Sequence, residues 1–351
     1  MDIFAPQTLA GIVENIKPVP TFFTQLAFGL EKTSDTDSIS LDIKEYKSRI
    51  TPFVHPMSEA GIVEQAGYET KTIKPAYLKD KREFNPNKAL TRKAGEAIGG
   101  SLTAQQRQEA ILMEEAMDAM AMFDRRIETM CAEALLSATQ TVIGKGYNLV
   151  VNFGRAAGNT ITTTSGDKWD AVDSDGYGTA DIPKQLMDAS LIVSKAGGGV
   201  VRAIVMDYKA YGLFRKNKFV TSKDSGWVTS GTVRSTILDP KSLVEGEALY
   251  MGNLGAFEIW VYNYEYINPV TGSAANVMPD NTCLLIGSNV QGVQHFGAIK
   301  DAKAIETGAA AVRTYMKSWV SEDPGVRYVL LQSAPLMVPY RPNATVKIVV
   351  A

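Results

Sequence analysis

The segment from Thr103 to Ser137 sets the scale of what this chain builds. Thr103-Ala-Gln-Gln106 has the spacing of a capping box. Apolar residues then recur at helical spacing through Met113, Met117, Met120, Phe123, Ile127, Met130 and Ala134. The pattern runs to about Ser137, and Gly144 and Gly146 end it. At 1.5 Å per residue this helix is roughly 50 Å long, well above the usual globular helix. The methionines suit either an adaptable peptide groove or packing along a sheet, and packing is the expectation.

The residues before the helix read as extended. In "SISLDIKEY", Ile39, Leu41 and Ile43 alternate with Ser38, Ser40 and Asp42, the period of a half-buried strand. "RITPFVHP" and "GYETKTIKPAYL" follow, with Gly61 and Gly67 near the expected turn. So few apolar residues make a long, polar, protruding hairpin that is marginal alone and lies against a partner. The first 40 residues read as an arm, with Phe22, Phe23, Leu26 and Phe28 clustered between prolines and the polar run "EKTSDTDS". So small an apolar patch packs on something else, in this chain or in a neighbour.

After the helix, "YNLVVNFGRAAGNTITTTSGDKWD" reads as strand and polar loop. Asp181 is placed to cap a helix with Pro183 in its first turn, and Leu186, Ala189, Ser190 and Val193 form its inward face. Gly197-Gly198-Gly199 ends that helix, Val200 to Met206 follows as a strand, and Asp207 caps the next helix. A hairpin is expected at "ALYMGNLGAFEIWVYN", turning near Asn253 to Gly255. Helices and short strands alternate over residues 180–315, a compact α/β unit, and the tail from Val326 returns to strands. There is no internal repeat and no linker that separates independent domains.

Composition excludes several classes. The chain has 351 residues, 45% hydrophobic and 21% charged, enough for a sizeable core. Net charge is −2 with the cations scattered, so there is no basic stripe of a nucleic-acid reader. Cys131 and Cys283 sit far apart in an expected helix and strand, which points to buried thiols and a reducing compartment. The N-terminus lacks the pattern of a signal peptide, and no apolar run reaches the ~20 residues of a membrane span. A soluble protein, intracellular when made, is the expectation.

Catalytic motifs are missing too. The two histidines, His55 and His295, lie far apart with no H-x-x-x-H spacing. "IGKGYN" lacks the rest of a phosphate-binding loop, and "KAGGGV" follows a helix where a dinucleotide fingerprint follows a strand. No G-x-S-x-G occurs, and neither Cys sits in a nucleophile motif. Pro279-Asp280-Asn281 is a turn feeding the strand Thr282 to Ile286, which stops at Gly287. Asp280 is expected to order that turn by an Asx-type bond. The sequence thus assigns no catalytic, cofactor-binding or metal-binding residue.

What remains is an elongated subunit whose exposed elements need partners, the pattern of an assembly protein. Several motifs carry a resemblance. "VMPDNTCLLIGSNVQGVQHFGAIKDA" (Val277–Ala302) and "SWVSEDPGVRYVLLQSAPLMVPYRPNATVKIVVA" (Ser318–Ala351) resemble the major capsid proteins of phage lambda and its relatives among tailed bacteriophages. "VVRAIVMDYKAYGLFR" (Val200–Arg215), "FNPNKALTR" (Phe84–Arg92) and "PTFFTQLAFG" are similar to the same family. The Gln332–Met337 block is the most specific of these. The chain departs at Asp207-Tyr208, where the family often has Asp-Pro, and residues 155–180 and 217–246 align poorly.

The resemblance implies an α+β fold of HK97 type. Its parts are an N-terminal arm (1–40), an extended hairpin loop with flanking strands (41–92), and a peripheral domain with the long spine helix (93–180). An axial domain (181–315) and C-terminal strands returning to the peripheral domain (316–351) complete it. It implies self-assembly into pentamers and hexamers of an icosahedral head enclosing double-stranded DNA, with a precursor shell that expands and hinges near Gly95–Gly100. It implies a separate scaffold, a maturation protease, a portal and a decoration protein at threefold sites, with assembly in the host cytoplasm and no membrane. Candidate contacts between copies are Phe22, Phe23 and Phe28 of the arm, and Arg49, Phe53, Lys71, Lys74 and Tyr77 of the loop. Removing residues 1–30 is expected to leave a folded subunit that assembles badly. An encapsulin-like compartment shell and an α/β enzyme without recognised motifs are the alternatives.

Overall fold

A computed structural model describes residues 22–44, 50–51, 53–59, 68–91, 102–144, 146–221, 242–244, 248–323 and 325–351. Residues 1–21 of the arm, Arg49, Gly61, Gly67 and the hinge at Gly95–Gly100 lie outside them.

The long helix spans Ala104–Ser137, 34 residues. Its capping box is present: Gln106 N donates to Thr103 Oγ1 at 3.2 Å, and Thr103 N to Gln106 Oε1 at 2.9 Å. These bonds satisfy N–H groups that the first turn leaves without helical partners. The helix ends at Ser137, where its apolar spacing places the end, and Ala138 follows with φ 50°. Arg155 explains this stop. Its Nη1 donates to Leu135 O at 3.0 Å and its Nη2 to Leu136 O at 2.9 Å, so a cation covers the last carbonyls. Gly146, with φ 82°, instead turns the hairpin between strands Thr139–Gly144 and Tyr147–Asn152.

A seven-stranded sheet forms the centre. Its order is Thr160–Thr162, Thr345–Val349, Thr282–Gly287, Val201–Met206, Phe257–Tyr262, Ala248–Leu254 and Ser242–Val244. Alternation gives it two apolar faces. Ala203, Val205, Trp260, Tyr262, Leu284 and Ile286 join the core that holds the long helix and the arm. Ile204, Met206, Val261, Cys283, Leu285 and Ile348 join a second core under helices Ile182–Lys195 and Tyr208–Lys216. Thr282–Gly287 is buried along its whole length because both faces are covered.

Two smaller sheets flank the long helix. Leu78–Phe84, Arg327–Ser333 and Tyr315–Val320 form one. Leu30–Thr33, Gly292–Phe296 and Pro335–Pro339 form the other. Ile39–Lys44 pairs antiparallel with Tyr68–Ile73, the expected extended hairpin.

The large sheet draws strands from several of the expected parts. Thr345–Val349 pairs with the central strand Thr282–Gly287. Thr160–Thr162, from the stretch 93–180, is the next strand out. Conversely, Gly292–Phe296 lies within 181–315 yet pairs with Leu30–Thr33 and Pro335–Pro339. Alternation identifies a strand; it does not say which strand it joins.

Candidate functional site

The arm is fastened to the subunit at one carboxylate. Glu128, on the long helix, is 1% exposed and accepts four hydrogen bonds. Phe23 N and Tyr262 Oη donate to its Oε1 at 2.7 and 3.2 Å. Thr24 N and Thr24 Oγ1 donate to its Oε2 at 3.0 and 2.9 Å. The arm helix Phe22–Ala27 thus receives its N-terminal cap from a different helix, with negative charge where first-turn N–H groups converge. Burial pushes the Glu128 carboxyl above its ordinary value, and the bonds from Phe23, Thr24 and Tyr262 recover part of the shift.

Aromatic packing surrounds this clasp. Phe22 stacks on Tyr262 at 5.5 Å and tilts against Trp260 at 5.4 Å; Phe23 meets Tyr262 edge-on at 4.9 Å. Phe28 is buried, and its carbonyl accepts from Gln294 Nε2 at 2.8 Å. Phe22, Phe23 and Phe28 were candidates for contact with a neighbouring copy, and within this chain all three are buried. All three sit in this chain's own core, which leaves their rings no surface to offer.

The Gln332–Met337 block is a second fastening. Tyr77 Oη donates to Gln332 Oε1 at 2.9 Å, and Gln332 Nε2 donates to Asp301 Oδ2 at 2.9 Å. Lys317 Nζ pairs with the same carboxylate. Burial opposes charge on Asp301, but the bonds from Lys317 and Gln332 outweigh it and hold the carboxyl below its ordinary value. Ser333 Oγ donates to Arg313 O at 2.6 Å, and Met337 N to Gln140 Oε1 at 3.1 Å. Tyr77, expected as a contact between copies, therefore has its hydroxyl engaged inside the chain. Arg313 links three elements: its Nη2 donates to Asp124 at 2.9 Å, its Nε lies 3.6 Å from Glu31, and its guanidinium lies over Phe123 and Phe296.

The loop candidates divide differently. Phe53 is fully exposed, with Ile50 at 93% and Met57 at 89% beside it. Lys74 Nζ lies 3.3 Å from Asp37, and Lys71 pairs opposite Leu41 in the extended hairpin. The methionines of the long helix also divide: Met120 and Met130 are buried, whereas Met113 and Met117 are half exposed.

Sequence reasoning missed Glu128, Asp124, Asp301 and Arg313. A signal existed for two of them. Asp124 and Glu128 stand four residues apart beside Phe123 and Ile127, so acidic groups fall on the apolar stripe, where burial demands partners.

Among the described residues the polar side chains pair with one another rather than converge on a reactive centre. Asp280 corrects an expectation, since it pairs with Lys209 Nζ at 2.5 Å. The carboxylate that orders the turn is Asp207, whose Oδ1 accepts from Thr282 N at 2.9 Å while the same side chain caps the helix at Lys209 N and Ala210 N. Cys131 and Cys283 are buried, and burial raises both thiols, which keeps them protonated and unreactive. Among the described residues no group of three His, Cys, Asp or Glu is placed to hold a metal. No described helix is long and apolar enough to cross a membrane.

Comparison with known proteins agrees with a structural role. The family model described as phage major capsid protein E matches residues 5–350. The chain is 29% identical over 349 residues to the major capsid protein of Escherichia phage lambda, covering 98% of each chain. It is 28% identical over 355 residues to that of Escherichia phage N15, covering 100% of each. Among solved structures, a prophage capsid protein from E. coli CFT073 superposes with TM-score 0.73 at 22% identity over 99% of each chain. The capsid of Ralstonia phage GP4 superposes with TM-score 0.51 at 11% identity, over 93% of this chain and 88% of that one. At these identities the superpositions speak to the fold.

Proposed function

This chain belongs to the phage major capsid protein E family, and from that premise we propose that its copies engage one another through the extended hairpin. It is a major capsid protein with the HK97-type fold, not an enzyme, and works as one of many copies in the virion shell. Pentamers and hexamers of an icosahedral head, formed as a precursor in the host cytoplasm and then expanded around double-stranded DNA, are the finer reading. A scaffold, a maturation protease, a portal and a threefold decoration protein belong to that same reading.

One observation carries the hairpin's role. Ile50, Phe53 and Met57 hold their side chains almost wholly in water on a segment between the two hairpin strands. Large apolar side chains this exposed, close together in sequence, suit an interaction surface, and in a shell subunit the available partner is a second copy. Arg49, Lys71 and Lys74 flank that segment in sequence and extend the proposed contact.

Negative-stain microscopy paired with sedimentation velocity of the full chain is the test. Closed shells, or rings of five or six copies, support the reading. A persistent monomer with a scaffold co-expressed opposes it. Phe53→Asp is expected to leave unfolding unchanged, since the ring touches no core, yet reduce shell yield about tenfold or more through loss of an apolar anchor worth about 2 kcal/mol per contact. Normal shells from Phe53→Asp sink the hairpin as the clasp. Lys71→Glu is likewise expected to impair assembly more than folding, read by circular dichroism beside shell yield.

A further inference from the structure

We propose that His295 makes the docking of the arm strand Leu30–Thr33 conditional on pH, so that the strand detaches when this imidazole becomes imidazolium. The strand is held lightly. It is four residues long, all exposed, and pairs on one side only, in parallel with Gly292–Phe296. Short edge strands with one partner are among the first elements to open.

His295 sits at the point of greatest consequence. It is the residue in register with Lys32 of the arm strand, and with Leu336 on its other side. Its Nε2 lies 3.1 Å from Tyr340 Oη, and Lys32 Nζ lies over the Tyr340 ring, 5.8 Å from its centre. Lys32 and His295 therefore share one face, bridged by a ring. The charged and titratable groups on that face are Lys32 from the arm strand and Tyr340 from the segment after Pro335–Pro339; Leu336 brings none. Glu31, one residue earlier, points to the opposite face, where it meets Arg313. Among the described residues no carboxylate on the His295 face is thus placed to accept a second cation beside Lys32.

Burial, and then the charge of Lys32, hold the imidazole below its ordinary value. The part owed to Lys32 is what docking of the strand adds, and it contributes stability that is full above the undocked value of this imidazole and lost as pH falls through the docked one. At that point two positive charges face each other across a short ladder that is otherwise held at its ends, by Gln294 Nε2 on Phe28 O and by Glu31 near Arg313. The strand can yield without unfolding the subunit, because the Glu128 clasp and the buried phenylalanines hold the arm helix separately.

Hydrogen exchange read by mass spectrometry on the full chain, at about pH 7 and about pH 5 and corrected for intrinsic rates, tests this. Protection across residues 30–34 is expected to fall about tenfold at the lower pH, while Val201–Met206 stays protected. His295→Gln is expected to keep the strand protected at both pH values, and Lys32→Gln, a change at an exposed side chain, to lessen the acid loss. Equal protection of the parent chain at the two pH values overturns the proposal, as does an acid loss undiminished in His295→Gln. Should His295→Gln open the strand at neutral pH as well, Lys32→Gln decides, and an undiminished acid loss there overturns it. The readout is local to one strand, so its failure leaves the capsid assignment untouched, and failed assembly leaves this result untouched.

Discussion

Replacing Glu128 by alanine is expected to detach the arm from its own subunit and lower stability by about 3–5 kcal/mol, one of the larger effects available to a single substitution. The carboxylate satisfies Phe23 N, Thr24 N, Thr24 Oγ1 and Tyr262 Oη together. Without it, these donors stay buried and unsatisfied at roughly 1–3 kcal/mol each, or the arm lifts away to reach water. Lifting removes Phe22 and Phe23 from the core, at about 1.5–3 kcal/mol for each buried side chain. The cheaper route sets the loss, which is why the sum is not taken. Glu128→Gln keeps one acceptor oxygen but turns an amide donor toward existing donors, so it should fall between the two. Urea midpoints and protease cleavage near residues 22–28 read the effect; an unchanged midpoint with an intact arm would refute the clasp. There is a pH signature as well. Because burial raises the Glu128 carboxyl on folding, the stability tied to its protonated form is present at low pH and declines as pH rises through the folded value. Glu128→Gln should abolish that slope.

The same geometry revises what truncation does. Removal of residues 1–30 was expected to spare the subunit, on the premise that the arm serves a neighbour. Phe22, Phe23 and Phe28 are core residues of this chain, so the cut should destabilise the subunit itself, whereas a cut ahead of Phe22 leaves the clasp in place.

Local elements were legible wherever the chain carries its own instructions. Thr103 and Gln106 announce a helix start, Asp181 and Asp207 cap helices as their positions suggest, and the alternation of Ile39, Leu41 and Ile43 specifies a strand. What stayed hidden depends on residues far apart in sequence. Arg155 covers the last carbonyls of the long helix from across the chain, and Thr345–Val349 pairs with the central strand Thr282–Gly287. Asp207, not Asp280, orders the turn at Thr282, a choice made by proximity in space between residues 75 positions apart. The arm's partner was undecided for the same reason. A cluster of phenylalanines states that something must cover it, and only Glu128 and Tyr262 say what.

Gly287→Ala is expected to cost about 3 kcal/mol, the upper part of the range for overpacking, and to lower the urea midpoint clearly. As a sequence feature, Gly287 merely closes a strand, and Gly198 belongs to a triplet that stops a helix. In the fold they face each other. A Cβ at Gly287 falls 2.4 Å from Gly198 O and 2.9 Å from Ala344 O, and one at Gly198 falls 2.7 Å from Ala344 Cα. Three backbone segments meet there: the end of the central strand, the turn after helix Ile182–Lys195, and the turn at Pro342–Ala344. Backbone atoms cannot swing aside as a flexible side chain can, so the segments must separate and both apolar faces of the sheet loosen. Gly146→Ala is the contrasting case. Its Cβ meets nothing within 4 Å, but φ is 82°, so only backbone strain of about 1–2 kcal/mol is expected. Gly287→Ala and Gly198→Ala fill one gap, so the double variant should lose less than the sum of the two. Urea denaturation of the three single variants and the double checks the order; a Gly287→Ala midpoint at or above that of Gly146→Ala would mean the three segments can part at little cost. Set beside Phe53→Asp, the comparison separates two ways for a shell subunit to fail. Gly287→Ala should give subunits that unfold at lower urea, and Phe53→Asp subunits as stable as the parent that stay apart.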